Sequence, residues 1–156
     1  AKASHAWGPA FTYSKAQEAF VDAHKVLVAS RKAGSMATRV KALSTAVKSC
    51  LLMGDTFDAL RFAQDELAMV NRSNKEDLVS RGDITDLVGE VLEVRGDFGG
   101  ALAQNQDALE LRKESKDKKL EAKAILRKAE IKLQLNQAKE AVEIAEQAVK
   151  MCKECK

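Results

Sequence analysis

The sequence predicts an all-α fold, an α-solenoid of antiparallel helical hairpins with about seven helices. A glycine, an aspartate, an alanine and a leucine stand in the same register in residues 54–60 and 96–102. A pair of alanine and an apolar residue recurs at spacings of 40, 42 and 40 residues, at Ala19-Phe20, Ala59-Leu60, Ala101-Leu102 and Ala141-Val142. Such periods are typical of helical repeat arrays. Composition agrees, because aromatic residues make up only 4% and there is one proline.

Helical periodicity begins after an expected irregular lead-in over residues 1–13, where Trp7-Gly8-Pro9 interrupts the pattern. Apolar residues spaced i, i+3, i+4 and i+7 predict a first helix over 14–33, which ends before Gly34. The same reasoning places six further helices at about 36–53, 56–71, 76–95, 97–115, 118–135 and 137–153. Short connections imply antiparallel neighbours. Residues 14–156 are therefore expected to form one helical repeat domain, with a lone helix 14–33 and hairpins at about 36–72, 76–115 and 118–153.

Several glycines fall inside the predicted helices, where each costs roughly 1 kcal/mol relative to alanine. Gly89 aligns with Val47 and Ala129 in the other copies, so we expect a small site where two helix backbones approach each other. Gly82 and the Gly99-Gly100 pair have no such explanation. A late start of the fourth helix, near Asp83, and a frayed start of the fifth would account for them.

The aligned positions resemble the tetratricopeptide repeat (TPR) family. They comprise a small residue in the first helix of each hairpin (Val47, Gly89, Ala129), a turn residue (Gly54, Gly96, Asn136) and an alanine early in the second helix (Ala59, Ala101, Ala141). Further along the second helix Ala108 and Ala148 also match the family, whereas Glu66 does not. The resemblance covers residues 36–153.

The chain also departs from this family. The usual period is about 34 residues, and no proline closes any hairpin here. Leu43, Thr85 and Ile125 replace the expected large aromatic residue. The 40- to 42-residue period resembles the long variant of cell-polarity adaptors and kinesin light chains. A plain helical bundle, or an unrelated array of α-hairpins, is the alternative interpretation.

Both ends of the pattern look interrupted. The first helix lacks the partner with which it would form a hairpin, and residue 156 falls where another turn would be expected. Terminal repeats of solenoids normally carry a polar cap. We therefore expect either a portion of a longer array or an array whose ends are covered by neighbours.

The fourth helix carries the most distinctive constellation, four carboxylates at Asp83, Asp86, Glu90 and Glu93. Their i, i+3, i+7, i+10 spacing places them along one side of the helix, and this set is called the acidic stripe below. The TPR resemblance implies that first helices line a concave groove. Cations on neighbouring first helices would then offset the stripe, at Lys41 and Lys48 on one side and Lys123, Arg127 and Lys128 on the other.

Two interpretations of the acidic stripe stay open. In one, its carboxylates form ordinary ion pairs between repeats on a solvated helix face. In the other, they form the acidic centre of a groove that binds a basic peptide or helix, for which arginine side chains suit carboxylates well. Binding of a chaperone C-terminal tail is disfavoured, since Ser44 and Leu87 occupy two positions that the resemblance would give to lysine and asparagine.

The sequence contains no pattern that predicts catalysis, a metal or a cofactor. Cys152 and Cys155 form a lone Cys-x-x-Cys pair, without the second pair or nearby histidine that zinc requires. His5 and His24 suggest no dyad, and no phosphate-binding glycine loop is present. We therefore expect a noncatalytic protein with no cofactor.

Charge and cysteine content limit the partner and the compartment. The net charge of +3 is too small to indicate nucleic acid, although the locally basic segment 112–139 keeps RNA or an acidic membrane surface as a further alternative. No apolar run approaches the length of a transmembrane helix. Three cysteines, an odd count, favour a reducing, intracellular compartment, in the cytoplasm or inside an organelle.

The sequence thus favours a noncatalytic adaptor or scaffold that holds a protein segment in a groove with an acidic centre. The main alternative is a structural subunit of a larger assembly that docks by its outer faces and open repeat ends. The residues predicted to bind the partner are Lys41, Lys48, Asp83, Asp86, Glu90, Glu93, Lys123 and Arg127.

Overall fold

The computed structural model describes the backbone of residues 9–154 and the side chains of residues 12–153. Every regular element in this part of the chain is an α-helix. The seven helices are α1 (Pro9–Ala33), α2 (Met36–Leu52), α3 (Thr56–Ser73), α4 (Leu78–Val94), α5 (Phe98–Glu114), α6 (Lys118–Gln134) and α7 (Ala138–Glu154). The predicted all-α class is confirmed, and most predicted ends fall within two residues of the observed ones.

The N-terminal end of α1 is the main correction to the predicted elements. The helix begins at Pro9, so the expected irregular lead-in is wrong for residues 9–13. Proline is well suited to the first helical position because its missing N–H would have no partner there. The rest of the expected lead-in, residues 1–8, lies outside the described residues.

Left-handed turn residues and aspartate caps explain where several helices stop and restart. Gly54 and Gly96 adopt φ angles of +80° and +77°, in the left-handed region that glycine enters without steric cost. Asp97 then caps α5, its side chain accepting a hydrogen bond from the Gly100 N–H at 2.8 Å. Asp77 caps α4 in the same way. Neither the late start of α4 nor the frayed start of α5 is observed.

The chain divides into two compact units, residues 1–66 and 67–156, with the boundary inside α3. In the first unit α1 packs against α2, and Leu27 and Leu43 are fully buried. The rings of Phe20, His24 and Phe62 form a cluster with centroids 5.4 to 5.8 Å apart. These contacts join α1 to the N-terminal part of α3.

A buried carboxylate lies beside that core. Glu66 is fully buried and accepts hydrogen bonds from Arg31 on α1 and Arg39 on α2. It occupies the position where the other copies have Ala108 and Ala148. The departure from the repeat pattern is thus an ionic cluster that links three helices of the first unit.

The second unit contains two helical hairpins, α4/α5 and α6/α7, and α5 packs on α6. Its core includes Ile84, Val91 and Ile131, each fully buried. A Cβ atom at Gly89 would lie 3.8 Å from the Ala101 carbonyl oxygen of α5, an ordinary van der Waals distance. The two helices therefore approach each other at this position, as predicted, but leave room for alanine.

Candidate functional site

The acidic stripe lies in the second unit, where two arginines of the same unit pair with it. Arg112 of α5 pairs with Asp83 and Asp86, at 2.7 and 3.1 Å. Arg127 of α6 pairs with the other two carboxylates, Glu93 at 2.7 Å and Glu90 at 3.6 Å. The stripe therefore links the first helix of this unit's first hairpin to both α5 and α6.

Arg112 is the most buried member of this network, with 2% of its surface exposed. Its guanidinium also donates a hydrogen bond to the Val79 carbonyl oxygen at 3.0 Å. A Cβ atom at Gly82 would lie only 2.7 Å from Cζ of Arg112. Gly82 is thus explained: it lies inside α4 because the guanidinium passes over its Cα.

Burial disfavours the ionised form of two stripe carboxyls. Loss of solvation raises the pKa of Asp86 above its ordinary value of 3.8, although the charge of Arg112 acts in the opposite direction. Burial likewise raises the pKa of Glu93 despite its pairing with Arg127. Oδ1 of Asp86 is buried and accepts no hydrogen bond from the described residues. Both carboxyls are thus harder to ionise than an exposed carboxyl.

The three lysines among the predicted binding residues are distributed over both units. Lys123 of α6 lies close enough to Asp86 to lower its pKa electrostatically, so it belongs to the surroundings of the stripe. Lys41 and Lys48 are exposed on α2 of the first unit. Lys41 borders a groove of about 360 Å³ between α1 and α2, together with Ala19, Val26 and Thr45.

Much of the basic segment 112–139 is engaged with carboxylates. Besides Arg112 and Arg127, Lys118 pairs with Glu121 at 2.7 Å, and Lys132 pairs with Glu140 at 3.0 Å. The segment is therefore less basic in the fold than its composition indicates. Its exposed lysines include Lys119, Lys123 and Lys139.

The described residues include no group of three metal-ligating side chains. Cys152 is exposed, whereas Cys155 lies outside the described part. Burial raises the pKa of the Cys50 thiol to about 11, so this sulfur is unreactive near neutral pH. His24 stacks on Phe20 in the first unit, and His5 is not among the described residues. No helix in the described range has the length and apolarity to cross a membrane.

A groove between α6 and α7 offers an exposed apolar surface in the second unit. It holds about 390 Å³ and is called the α6/α7 groove; its lining is Lys119, Ala122, Lys123, Leu126, Ala148, Val149, Cys152 and Lys153. Ala122 and Ala148 are buried and form the floor. Leu126 and Val149 are 45% and 51% exposed. Three lysines and no carboxylate belong to this lining.

Sequence reasoning missed Arg112 and the α6/α7 groove. Two signals pointed to buried ionic groups: Gly82 interrupts a predicted helix without explanation, and Glu66 departs from the alanine of the other copies. Neither signal identifies the side chain involved: Arg112, for example, follows Gly82 by thirty positions and lies on another helix. The groove depends on which leucines remain exposed after the helices pack.

Comparisons with known proteins leave the family of this chain open. No model of a known protein family matches the sequence. No curated protein matches it significantly either. The TPR resemblance therefore stays a prediction from the sequence.

Proposed function

We propose that the chain is a noncatalytic protein-interaction scaffold that binds a protein partner through the exposed face of its α6/α7 hairpin. The observation that carries this proposal is the α6/α7 groove, where Leu126 and Val149 are half exposed above a floor of buried alanines. Exposed apolar surface in a concave site, rimmed by polar residues, is typical of an interaction site. This proposal is nearest to the alternative of a structural subunit that docks by its outer faces and open repeat ends.

The acidic stripe supports a structural role better than a binding role. A basic peptide at the stripe would compete with Arg112 and Arg127, which are already within ion-pair distance. Breaking such a pair is unfavourable because each charged group then stays partly buried without a partner. We therefore propose that the stripe holds α4, α5 and α6 together.

A basic peptide at the stripe is the second candidate. It is favoured by the side chains of Asp83 and Glu90, which remain 41% and 35% exposed despite their ion pairs. These two carboxylates have oxygen atoms that an incoming arginine could reach. The same two residues give the variant that separates the candidates.

Affinity capture from the native source, repeated with two variants, tests the proposal. Leu126→Glu places a charge in the α6/α7 groove, whereas Asp83→Asn with Glu90→Gln removes two charges from the stripe. Both variants must keep the helical circular dichroism of the unaltered protein. We expect the captured partner to be lost with Leu126→Glu and retained with the stripe variant. The opposite pattern would instead support the basic-peptide site and refute the proposal.

The same capture tests RNA or an acidic membrane as the partner. Binding dominated by phosphate contacts weakens steeply with salt, because counterions are released. Binding through Leu126 and Val149 should persist at about 0.5 M salt, where charges farther apart than a few ångströms are screened. Loss of binding after nuclease treatment would favour RNA at the basic segment 112–139 instead, whereas loss at that salt alone would show that charge pairs dominate over Leu126 and Val149.

A further inference from the structure

The two hairpins of the second unit differ most at one set of equivalent positions. A shift of 40 residues relates Gly89 to Ala129 and Gly96 to Asn136. It also relates the acidic stripe on α4 to Lys123, Leu126, Glu130 and Leu133 on α6. Leu126 and Leu133 are 45% and 54% exposed, and Lys123 and Glu130 are exposed as well. Two of the four carboxylates of the acidic stripe are thus replaced by exposed leucines in the next hairpin, one by a lysine, and one is kept as Glu130.

The buried Arg112 of the α4/α5 hairpin also has no counterpart in the α6/α7 hairpin. Arg112 corresponds to Cys152 under this shift, and Gly82 corresponds to Ala122. Both equivalents line the α6/α7 groove. Where α4 and α5 enclose a guanidinium, α6 and α7 therefore leave an open space with apolar walls.

The first hairpin also indicates which kind of element fits against such a surface. Helix α6 packs on α5 and reaches the stripe of α4 through Arg127, so a helix borders the α4/α5 hairpin. At the α6/α7 hairpin the equivalent of the Arg127 partner Glu93 is Leu133. Leu133 lies outside the lining of the α6/α7 groove, so a helix that also reached it would place an apolar side chain there rather than an arginine.

The charges around the groove define the polar flank of that helix. Lys119, Lys123 and Lys153 line it, and all three are exposed. A carboxylate on the bound segment would meet these ammonium groups and speed association by electrostatic attraction. A lysine or arginine on the segment would be repelled. The groove is therefore complementary to a helix with an apolar face and an acidic flank.

Building on the proposed function, we infer that the α6/α7 groove binds an acidic amphipathic helix of a partner protein. The apolar face of that helix covers Leu126 and Val149, and its carboxylates pair with the lysines of the rim. Helix-in-groove binding of this kind is a common mode of peptide recognition. The concave floor at Ala122 and Ala148 favours a ridge of side chains over a flat lipid surface.

Synthetic helices test this inference directly. The probe is a labelled peptide of 17 residues, the length of α6, with leucine and alanine on one face, glutamate on both flanks and glutamine elsewhere. A matched peptide carries lysine in place of every glutamate. Titration by fluorescence anisotropy should show the acidic peptide binding at least about tenfold more tightly than the basic one. Equal binding, tighter binding of the basic peptide, or no binding of either would overturn the inference.

Variants of the protein identify the groove as the site. The double substitution Lys119→Glu with Lys123→Glu should lower the affinity for the acidic peptide at least about tenfold. The matched control, Lys75→Glu with Lys113→Glu, reverses two exposed lysines of the same unit outside the groove and should leave affinity within about twofold. The bound peptide should also protect Cys152 from alkylation by a maleimide, measured by mass spectrometry. Equal weakening by both double variants, or an unprotected Cys152, would overturn the assignment.

Two further measurements distinguish this occupant from others. Self-association in sedimentation velocity that Leu126→Glu abolishes would assign the groove to a second copy of the chain and overturn the inference. Binding of phosphatidylserine vesicles that displaces the peptide would assign it to a lipid surface, with the same consequence. If the peptides fail but capture of the native partner remains sensitive to Leu126→Glu, only the acidic-helix inference is wrong. If capture is insensitive to that substitution, the proposed function itself fails.

Discussion

Replacing Gly82 by alanine tests whether Arg112 is the reason for a glycine inside α4. The new Cβ would lie 2.7 Å from Cζ and 2.8 Å from Nη1 of Arg112. The guanidinium would have to retreat by several tenths of an ångström. It is buried, and it donates to Val79, Asp83 and Asp86 at 2.7 to 3.1 Å, so it has little freedom to do so.

The expected magnitude follows from two opposing effects. Alanine in a helix interior gains about 1 kcal/mol over glycine. Loss of one charge-assisted hydrogen bond of Arg112 costs roughly 1.5 to 3 kcal/mol. Gly82→Ala should therefore lower the free energy of unfolding by about 0.5 to 2 kcal/mol. In a chain of this size the midpoint temperature should fall by roughly 1 to 8 °C.

Gly89→Ala is the matched control because Gly89 lies in the same helix. A Cβ atom there would lie 3.6 Å from the Gln104 Cβ and 3.8 Å from the Ala101 oxygen, so it meets no close atom. This substitution should be neutral or stabilise the protein by up to about 1 kcal/mol. Urea unfolding followed by circular dichroism measures both variants. Equal stabilisation by the two alanines would refute the steric role of Arg112.

A double-mutant cycle isolates the contact between residues 82 and 112. Arg112→Met removes the rigid guanidinium fork and leaves a flexible chain that can move aside. Gly82→Ala should then be less destabilising than in the unaltered protein, with a coupling energy of about 1.5 to 3 kcal/mol, because the propensity gain cancels in the cycle. A coupling energy near zero would mean that the loss of stability on Gly82→Ala has another origin.

Two further predictions concern buried carboxylates. Glu66→Ala should destabilise the protein by about 3 to 5 kcal/mol in urea unfolding, because it leaves the buried Arg39 unpaired. The control Asp58→Ala, which removes an exposed pair with Arg61, should cost less than about 1 kcal/mol. Similar losses of stability for both variants would contradict the reasoning. For Asp86 the raised folded-state pKa means that the folded protein holds its proton more tightly, so this carboxyl lowers stability as pH rises from 3.8 through that pKa. Asp86→Asn should remove this contribution, so the difference in free energy of unfolding between the variant and the unaltered protein, measured by urea unfolding, should change over this pH interval. A difference that stays constant over the interval would show that the pKa of the carboxyl is unperturbed.

The repeat pattern predicted the helices because it is a local property of the chain. The left-handed turns at Gly54 and Gly96 depend on residues that lie next to each other, so spacing and turn chemistry locate them. The start of α1 at Pro9 escaped prediction because Trp7-Gly8-Pro9 was interpreted as a break in the pattern. Proline in the first helical turn instead begins a helix.

The candidate site was only partly visible in the same pattern. Helical spacing correctly placed the four stripe carboxylates on one helix, and Arg127 was named among their neighbours. Arg112 was assigned to a basic surface segment, yet it is almost fully buried. The sequence shows the sign of a side-chain charge but not how deeply that side chain is buried, because burial depends on the helices that surround it.

The sequence by itself determined the all-helical class, the seven helices and the positions where the repeat copies diverge, because each rests on neighbouring residues or a regular period. Only the tertiary structure decided that Arg112 and Arg127 pair with the acidic stripe, since ion pairs between helices depend on packing geometry. It also decided that the equivalent positions on α6 stay exposed beside an apolar groove. No local pattern encodes which side chains become buried when the helices pack. That burial distinguishes the stripe carboxylates, which are proposed to hold helices together, from the α6/α7 groove, which is proposed to bind a partner.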